Sequence, residues 1–315
     1  MHPAFSVIVF TTASGAGYGL LAWFALFSLF GAGWIDRPLA LTVLIFGLAL
    51  VSAGLMSSTA HLGRPERAWR ALSQWRSSWL SREGVAAIVA FVPTGLLALC
   101  WMLSPEPGAA ATVFELLTIP AALATTYCTA MIYGSLKTIR QWKTPLTVPN
   151  YYALAIFTGA LLLAAFAGLF GRGSLALEIV VLVSGLAALA LKLAYWKAID
   201  DPTGASTAET ATGLGRFGEV RLFEAPHTEE NYLMREMGFS IARKHAAKLR
   251  KLTLLTLFAV PLVLTLLAMA AGGAFAAVLA VLAVISAGVG VLTERWLFFA
   301  EAKHVVTLFY GAKAA

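Results

Sequence analysis

Eight stretches of roughly twenty apolar residues each leave this 315-residue chain few folds to adopt. A helix of that length matches the hydrocarbon thickness of a bilayer, and in lipid every backbone N–H and C=O must be satisfied within its own segment, as a helix does and an open strand does not. The runs fall near residues 5–30, 39–60, 84–103, 112–134, 151–170, 175–197, 252–271 and 274–294. Hydrophobic residues make up 59% of the chain and charged residues 12%, too apolar for a soluble domain. The fold class is therefore all-α: a polytopic membrane protein with eight transmembrane helices, dividing into two four-helix halves. Residues 1–315 read as a single membrane domain, with one long hydrophilic connection over 200–251. Met1–Phe5 lacks a basic region and the first run is too long for a signal core, so it is expected to stay as the first span.

With an even number of spans both termini share one face, together with the loops after the second, fourth and sixth helices. That face carries 21 of the 23 lysines and arginines, and only Arg37 and Arg172 lie opposite. The positive-inside bias places both termini and these loops in the cytoplasm, with the protein in a bacterial inner membrane. The net charge of +7 is thereby explained by topology and calls for no nucleic-acid partner.

The loop His61–Glu83, HLGRPERAWRALSQWRSSWLSRE, concentrates ionisable groups between two apolar helices. His61 closes one span and Glu83 opens the next. Successive spans run antiparallel, so the two residues lie at one membrane edge and face one small pocket if the helices pack. Pro65 and Glu66 suit a helix start, and Ala68, Trp69, Leu72, Trp75 and Trp79 with Arg67, Arg70 and Arg76 suit a helix lying in the headgroup layer. The plain alternative is a topology anchor, for which basic, Trp-containing loops are common. Arg82 reads as a phosphate contact.

Elsewhere the signals are weaker. Ser14-Gly-Ala-Gly-Tyr-Gly19 superficially matches a glycine-rich nucleotide loop, but no strand precedes it, and small residues in an apolar helix serve close packing. Tyr18 is placed to point a hydroxyl into such a gap. Cys100 and Cys128 form no CxxC and read as core thiols, so the protein holds no iron–sulfur cluster of its own. Asp201–Ala225 reads as irregular loop. From Thr228 a basic amphipathic helix is expected, with Leu233, Met237 and Ile241 on its apolar side, feeding the seventh span, which Pro261 should kink. After the eighth span, Glu301 and His304 would share a helical face at the same membrane edge as His61, or belong to an interfacial network around Arg295.

Haem b does not fit, because none of the five histidines is central in an apolar run. An ion-driven carrier needs charges within the spans, whereas Glu115, Glu178 and Lys192 lie toward span ends. A carrier of an apolar substrate, or a structural membrane protein, stays open. A lipid-reachable edge site with His, carboxylate, Arg and aromatic rings suits a quinone, whose two oxygens exchange protons as electrons move.

The stretch Ser58-Thr-Ala-His61-Leu-Gly63-Arg-Pro65-Glu-Arg67-Ala68-Trp, the segment Ser78-Trp-Leu-Ser81-Arg-Glu83, and the closing Glu294-Arg-Trp-Leu-Phe-Phe-Ala-Glu301 resemble the DmsC family, membrane anchor subunits of dimethyl sulfoxide reductase and related molybdoenzymes. The resemblance extends over the whole sequence. It implies an eight-helix anchor that binds menaquinone or ubiquinone, a bound four-cluster iron–sulfur subunit and a molybdopterin catalytic subunit. The family's quinol-site histidine and acid fall on His61 and Glu83. Arg64, Arg67, Trp69 and Trp79 are the further candidates beside the ring; Tyr18, Glu301 and His304 form a second tier. The long basic connection resembles the branch that includes the sulfite dehydrogenase anchor, where electrons run from sulfite to the quinone pool.

Overall fold

The computed structural model describes residues 4–60, 62–106, 108–224, 226–227, 229, 231, 234, 237 and 241–315, with side chains for all of these but 241–244. Its eight spans are α1 Phe5–Leu29, α2 Arg37–Thr59, α3 Trp79–Leu103, α4 Ala109–Gly134, α5 Thr147–Leu169, α6 Leu175–Asp200, α7 Ile241–Ala271 and α8 Gly273–Ala300. All eight are long and apolar enough to cross a bilayer. Among the described residues the only extended pairing is a single bridge between Ile139 and His304.

Several helices outrun their apolar stretches because polar residues can extend a helix beyond the hydrocarbon. Ser78 caps α3, accepting from Ser81 N at 3.4 Å, so α3 starts a full turn before the apolar run. The tail of α8 carries Glu294 and Arg295 to Ala300, six residues past the expected end at 294. In α7 the segment Ile241–Thr253 meets Val260–Ala271 through a π-helical turn, Leu254–Ala259. Pro261 cannot donate a backbone hydrogen bond, and the widened turn before it accommodates that loss where a kink was expected.

Helices α1–α4 pack as one ring, α5–α8 as a second, and α1 against α5 forms the seam between them. The seam is a backbone contact. A Cβ on Gly19 would sit 1.8 Å from the Ala155 carbonyl oxygen, and one on Gly159 would sit 2.2 Å from the Gly19 carbonyl carbon. The glycine-rich stretch of α1 is thus a packing surface, as its apolar setting implied. Outward, Ile88, Val92, Leu186, Leu266 and Ile285 are exposed, forming the apolar belt that lipid covers.

At the sparsely charged face, Asp36 caps α2 by accepting from Leu39 N at 3.1 Å and also pairs with Arg172 of the α5–α6 turn at 2.7 Å. Burial, the largest single influence, raises the Asp36 carboxyl, but the Arg172 and Leu39 bonds together outweigh it and hold it below the usual carboxylate range. At the basic face the C-terminal tail is stitched across the connections. Val305 N donates to Thr138 O at 3.0 Å, Lys303 N to Gln141 Oε1 at 3.1 Å, and Ala315 exchanges two backbone bonds with Ser206.

The connection read as irregular contains three short helical turns, Pro202–Gly204, Ala208–Thr212 and Leu214–Phe217, the second closed by a capping box between Thr207 and Thr210. Of the amphipathic helix expected from Thr228, Ile241–Thr253 is helical and runs into α7; Thr228 and Leu233 lie outside the described residues.

Candidate functional site

Glu83 sits four residues into α3 with its side chain turned inward, 4% exposed. Thr129 Oγ1 on α4 lies 3.3 Å from Glu83 Oε1 and 3.1 Å from Thr125 O, so one hydroxyl proton is shared between two acceptors. Glu83 is close enough to Tyr18 and Tyr133 to interact with them electrostatically.

Tyr18 and Thr129 line a small cavity between α1, α4, α5 and α8, together with the polar side chains of Thr11, Thr12, Ser14, Thr126, Tyr151, Thr158 and Arg295, and Glu83 is joined to that lining through Thr129. Its volume of about 10 Å³ admits one water-sized centre. Tyr18, beside Thr125, has no well-formed hydrogen bond on its hydroxyl, and neither have Tyr151 Oη, Thr12 Oγ1 and Arg295 Nε. Unpaired buried polar atoms are costly, so a polar guest the size of a water would be stabilised here.

An apolar groove of about 320 Å³ adjoins the cavity and shares Thr12, Ala16, Thr158 and Val291 with it. Val9, Phe46 and Leu292 on its rim are exposed, so it opens toward lipid.

On the other side lies a charged cluster. Lys192 Nζ on α6 donates to Glu294 Oε1 on α8, and Arg295 Nε approaches Glu294 Oε2 at 3.4 Å without a well-formed hydrogen bond. All three side chains are at most 3% exposed. The cations are shielded by rings: Lys192 lies 4.5 Å from the Tyr195 ring centre, Arg295 3.9 Å from that of Tyr151. Tyr133 packs against Trp142, Tyr151, Phe298 and Phe299, fixing the aromatic wall behind them. Counting from the helix ends at the basic face, Glu83, Thr129, Tyr151, Arg295, Glu294 and Lys192 all lie about 6–12 Å deep at 1.5 Å per residue. Lys192, read as lying toward its span end, is two turns inside and fully covered.

Nearer the surface lies a second charged group. Arg250 on α7 forks onto Asp200 at 2.6 and 2.9 Å and bonds Glu301 at 2.9 Å. Trp196 lies 5.7 Å from Lys192 Nζ and 5.3 Å from Arg250 Cζ, between the two groups. Burial pushes the Glu301 carboxyl up, against the pull of Arg250.

The residues singled out in the sequence separate into three sets. Tyr18 lines the cavity, and Glu83 is joined to its lining through Thr129. Trp79 packs edge-on to Tyr127 at 5.6 Å, with Arg82 over its ring at 4.3 Å and bonded to the Trp75 and Arg76 carbonyls. Arg64, Arg67 and Trp69 are exposed, on or beside a 3₁₀ helix, Pro65–Gln74, where Trp69, Leu72 and Trp75 recur every third residue along one face. His61 lies outside the described residues.

Glu301 and His304 do not share a helical face, because α8 ends at Ala300. His304 instead turns its Nδ1 to accept from Val306 N at 3.0 Å, and partial burial holds its imidazole below the ordinary value. The network expected around Arg295 is centred for Glu301 on Arg250. Lys192, Glu294, Arg295 and Tyr151 were not among the sequence candidates. The one signal for them was a lysine inside an apolar run, which demands a partner.

The family described as DMSO reductase anchor subunit (DmsC) matches residues 1–312. The C subunit of sulfite dehydrogenase from Allochromatium vinosum is 34% identical over 330 residues, spanning 100% of both proteins. The C polypeptide of anaerobic dimethyl sulfoxide reductase from Haemophilus influenzae is 29% identical over 36% of this sequence and 40% of its own. The C polypeptide of the Escherichia coli anaerobic dimethyl sulfoxide reductase is 27% identical over 45% of this sequence and 50% of its own. No solved structure matches. A match from the first residue to the closing tail, on eight spans with Glu83 turned into their interior, is a family relationship: the protein belongs to the DMSO reductase anchor subunits (DmsC).

Proposed function

We propose that this protein is the quinone-reactive membrane anchor subunit of a molybdopterin and iron–sulfur oxidoreductase. It exchanges electrons between menaquinone or ubiquinone and an iron–sulfur subunit docked at the basic face. The observation that carries this reading is a buried carboxylate, Glu83, beside a polar cavity that adjoins a lipid-open apolar groove.

The residues present suit a quinone. The groove has the volume of a small-molecule site, and the hydroxyls of Thr12 and Thr158 line its junction with the cavity. When bound, a quinone supplies two-electron, two-proton redox chemistry. Val9, Phe46, Leu50 and Leu292 hold an apolar tail and exclude water, Thr129 orients the Glu83 carboxylate, and Glu83 holds or yields a proton. His61 joins Glu83 in this role by family position, while Trp79 closes the site toward the headgroups. Arg64, Arg67 and Trp69, all exposed, meet lipid phosphates or the docked partner at its rim.

The iron–sulfur partner carries four clusters and passes electrons to or from a molybdopterin subunit. The full-length likeness to a sulfite dehydrogenase subunit favours sulfite as the substrate of that molybdopterin partner, with electrons entering the quinone pool. The positive-inside bias supports an inner-membrane location with the basic face and both termini in the cytoplasm.

The test is the intact complex bearing Glu83→Gln or His61→Ala. Quinone-linked turnover should fall about 100-fold with the soluble subunits retained, and unchanged turnover would refute the assignment. Iron and molybdenum assays of the purified complex, with sulfite and dimethyl sulfoxide as alternative substrates, test the partners.

A further inference from the structure

The charged cluster on α6 and α8 is not needed to hold a quinone, and as a structural device it is expensive. Lys192, Glu294 and Arg295 together carry one net positive charge, buried within membrane helices. A buried ion pair is often no more stabilising than well-packed apolar residues. Its placement is more telling. Glu294 uses Oε1 for Lys192 and leaves Oε2 without a hydrogen bond beside Arg295. Arg295 in turn lines the one-water cavity with Tyr151 and Tyr18, whose hydroxyls make no well-formed hydrogen bond, and Thr129 on the same lining is bonded to Glu83. At the other end, Glu301 lies near enough to Lys192 to act on it electrostatically and is tied by Arg250 to Asp200, whose side chain is 55% exposed.

We propose that Lys192 and Glu294, with the cavity faced by Arg295, form the proton route between the basic face and Glu83. This proposal rests on the quinone reading above.

Each part has a physical role. In a low-dielectric interior the ionised Lys–Glu pair and its neutral amine–acid form lie closer in energy than in water, because the neutral form escapes the desolvation penalty. A proton therefore shifts readily along the direct Lys192–Glu294 bond. Arg295 never deprotonates; it carries no proton, but its fixed charge draws Glu294 back to the carboxylate and orients what occupies the cavity. That cavity has the volume and polar partners to bind one water, which bridges Arg295 and the two tyrosines toward Thr129.

Two electrons from the iron–sulfur partner and two protons from water at the basic face convert the two C=O groups of a quinone to C–OH; oxidation reverses both flows. The route moves protons only, and each residue ends a turnover as it began.

The test uses the whole complex with Glu294→Gln, and separately with the paired change Lys192→Met and Glu294→Leu, which removes both charges together. Soluble subunits and extractable quinone should be retained. Quinone-linked turnover should fall about 100-fold with KM for quinone little changed. In ¹³C-glutamate-labelled complex, a carboxyl C=O infrared band should appear or shift on reduction and be lost in Glu294→Gln.

Wild-type turnover in the paired variant would overturn the proposal. If neither variant assembles, the labelled complex bearing Glu83→Gln decides: a glutamate carboxyl band that still responds to reduction supports the route, and silence in that region overturns it. Absence of bound quinone and of quinone-linked turnover in the wild type would instead refute the proposed function, a result distinct from failure of the route.

Discussion

Lys192 and Glu294, 102 residues apart in sequence, form a direct ion pair with both side chains 1% exposed. Removing Glu294 leaves Lys192 and Arg295 buried without a counter-charge, whereas removing Lys192 leaves Glu294 beside Arg295. Glu294→Ala should therefore cost about 3–5 kcal/mol of stability, and Lys192→Met, which keeps most of the volume, far less. Thermal melting of the detergent-solubilised protein would show this as one low midpoint and one nearer wild type. Equal losses in both would mean that side-chain packing, and not charge, governs the site.

The seam between the two four-helix rings gives a second prediction. Gly19→Ala places a methyl group 1.8 Å from the Ala155 carbonyl oxygen, so the helices must move apart, at a cost of about 1–3 kcal/mol or more. Gly95→Ala on α3 meets no atom within 4 Å and should change stability by less than about 0.5 kcal/mol. Monodispersity after gel filtration and the melting midpoint would separate the two variants.

Asp36 supplies a pH dependence. Its carboxyl is held low by Arg172 and Leu39 in the fold, so its contribution is complete above the unfolded carboxylate value, near 4. That contribution disappears as pH falls through the lower folded value. The pair with Arg172 is half exposed and is screened to at most about 1 kcal/mol, with a helix cap of about 1 kcal/mol beside it. Asp36→Ala should therefore lower the melting midpoint at pH 7 and flatten its decline below pH 4. A decline as steep as the wild type's would assign the acid sensitivity elsewhere.

The connection at the basic face leaves Leu214, Phe217, Leu222 and Phe223 exposed, the last completely. An anchor must hold soluble subunits, and aromatic side chains are frequent anchors of protein interfaces. Phe217→Asp with Phe223→Asp should release a large share of the soluble subunits from membranes while the anchor itself still folds. Undiminished co-purification would place the dock elsewhere on this face.

If the proposed quinone site, proton route and docked partner all lie at the basic face, turnover should separate no charge across the membrane. Reconstituted in sealed vesicles with a quinone, the complex should leave a potential-sensitive dye unchanged. A signal that builds with turnover and collapses with an ionophore would contradict the inner-edge site or the same-side partner.

The eight spans were legible in the amino-acid sequence because the two constraints that define them are local. A run must be long enough for the bilayer and apolar enough to enter it, and a helix satisfies its own backbone wherever it lies. Glu83 stood out in the sequence through its place beside an apolar run and the motif around it, while its inward turn belongs to the packed helices. Tertiary structure alone decided which faces of those helices meet: Lys192 finds Glu294 and Arg295 only through the rotation and depth of α6 against α8. Arg295 comes to the same cavity as Tyr18 only because Gly19 and Gly159 let α1 and α5 touch backbone to backbone. The end of α8 at Ala300, which separates Glu301 from His304, was likewise invisible in spacing, since it is set by bonds of the tail to Thr138 and Gln141. Hydropathy sums along the sequence, whereas pairing of buried charges depends on side-chain direction between helices distant in sequence, and no one-dimensional pattern encodes it.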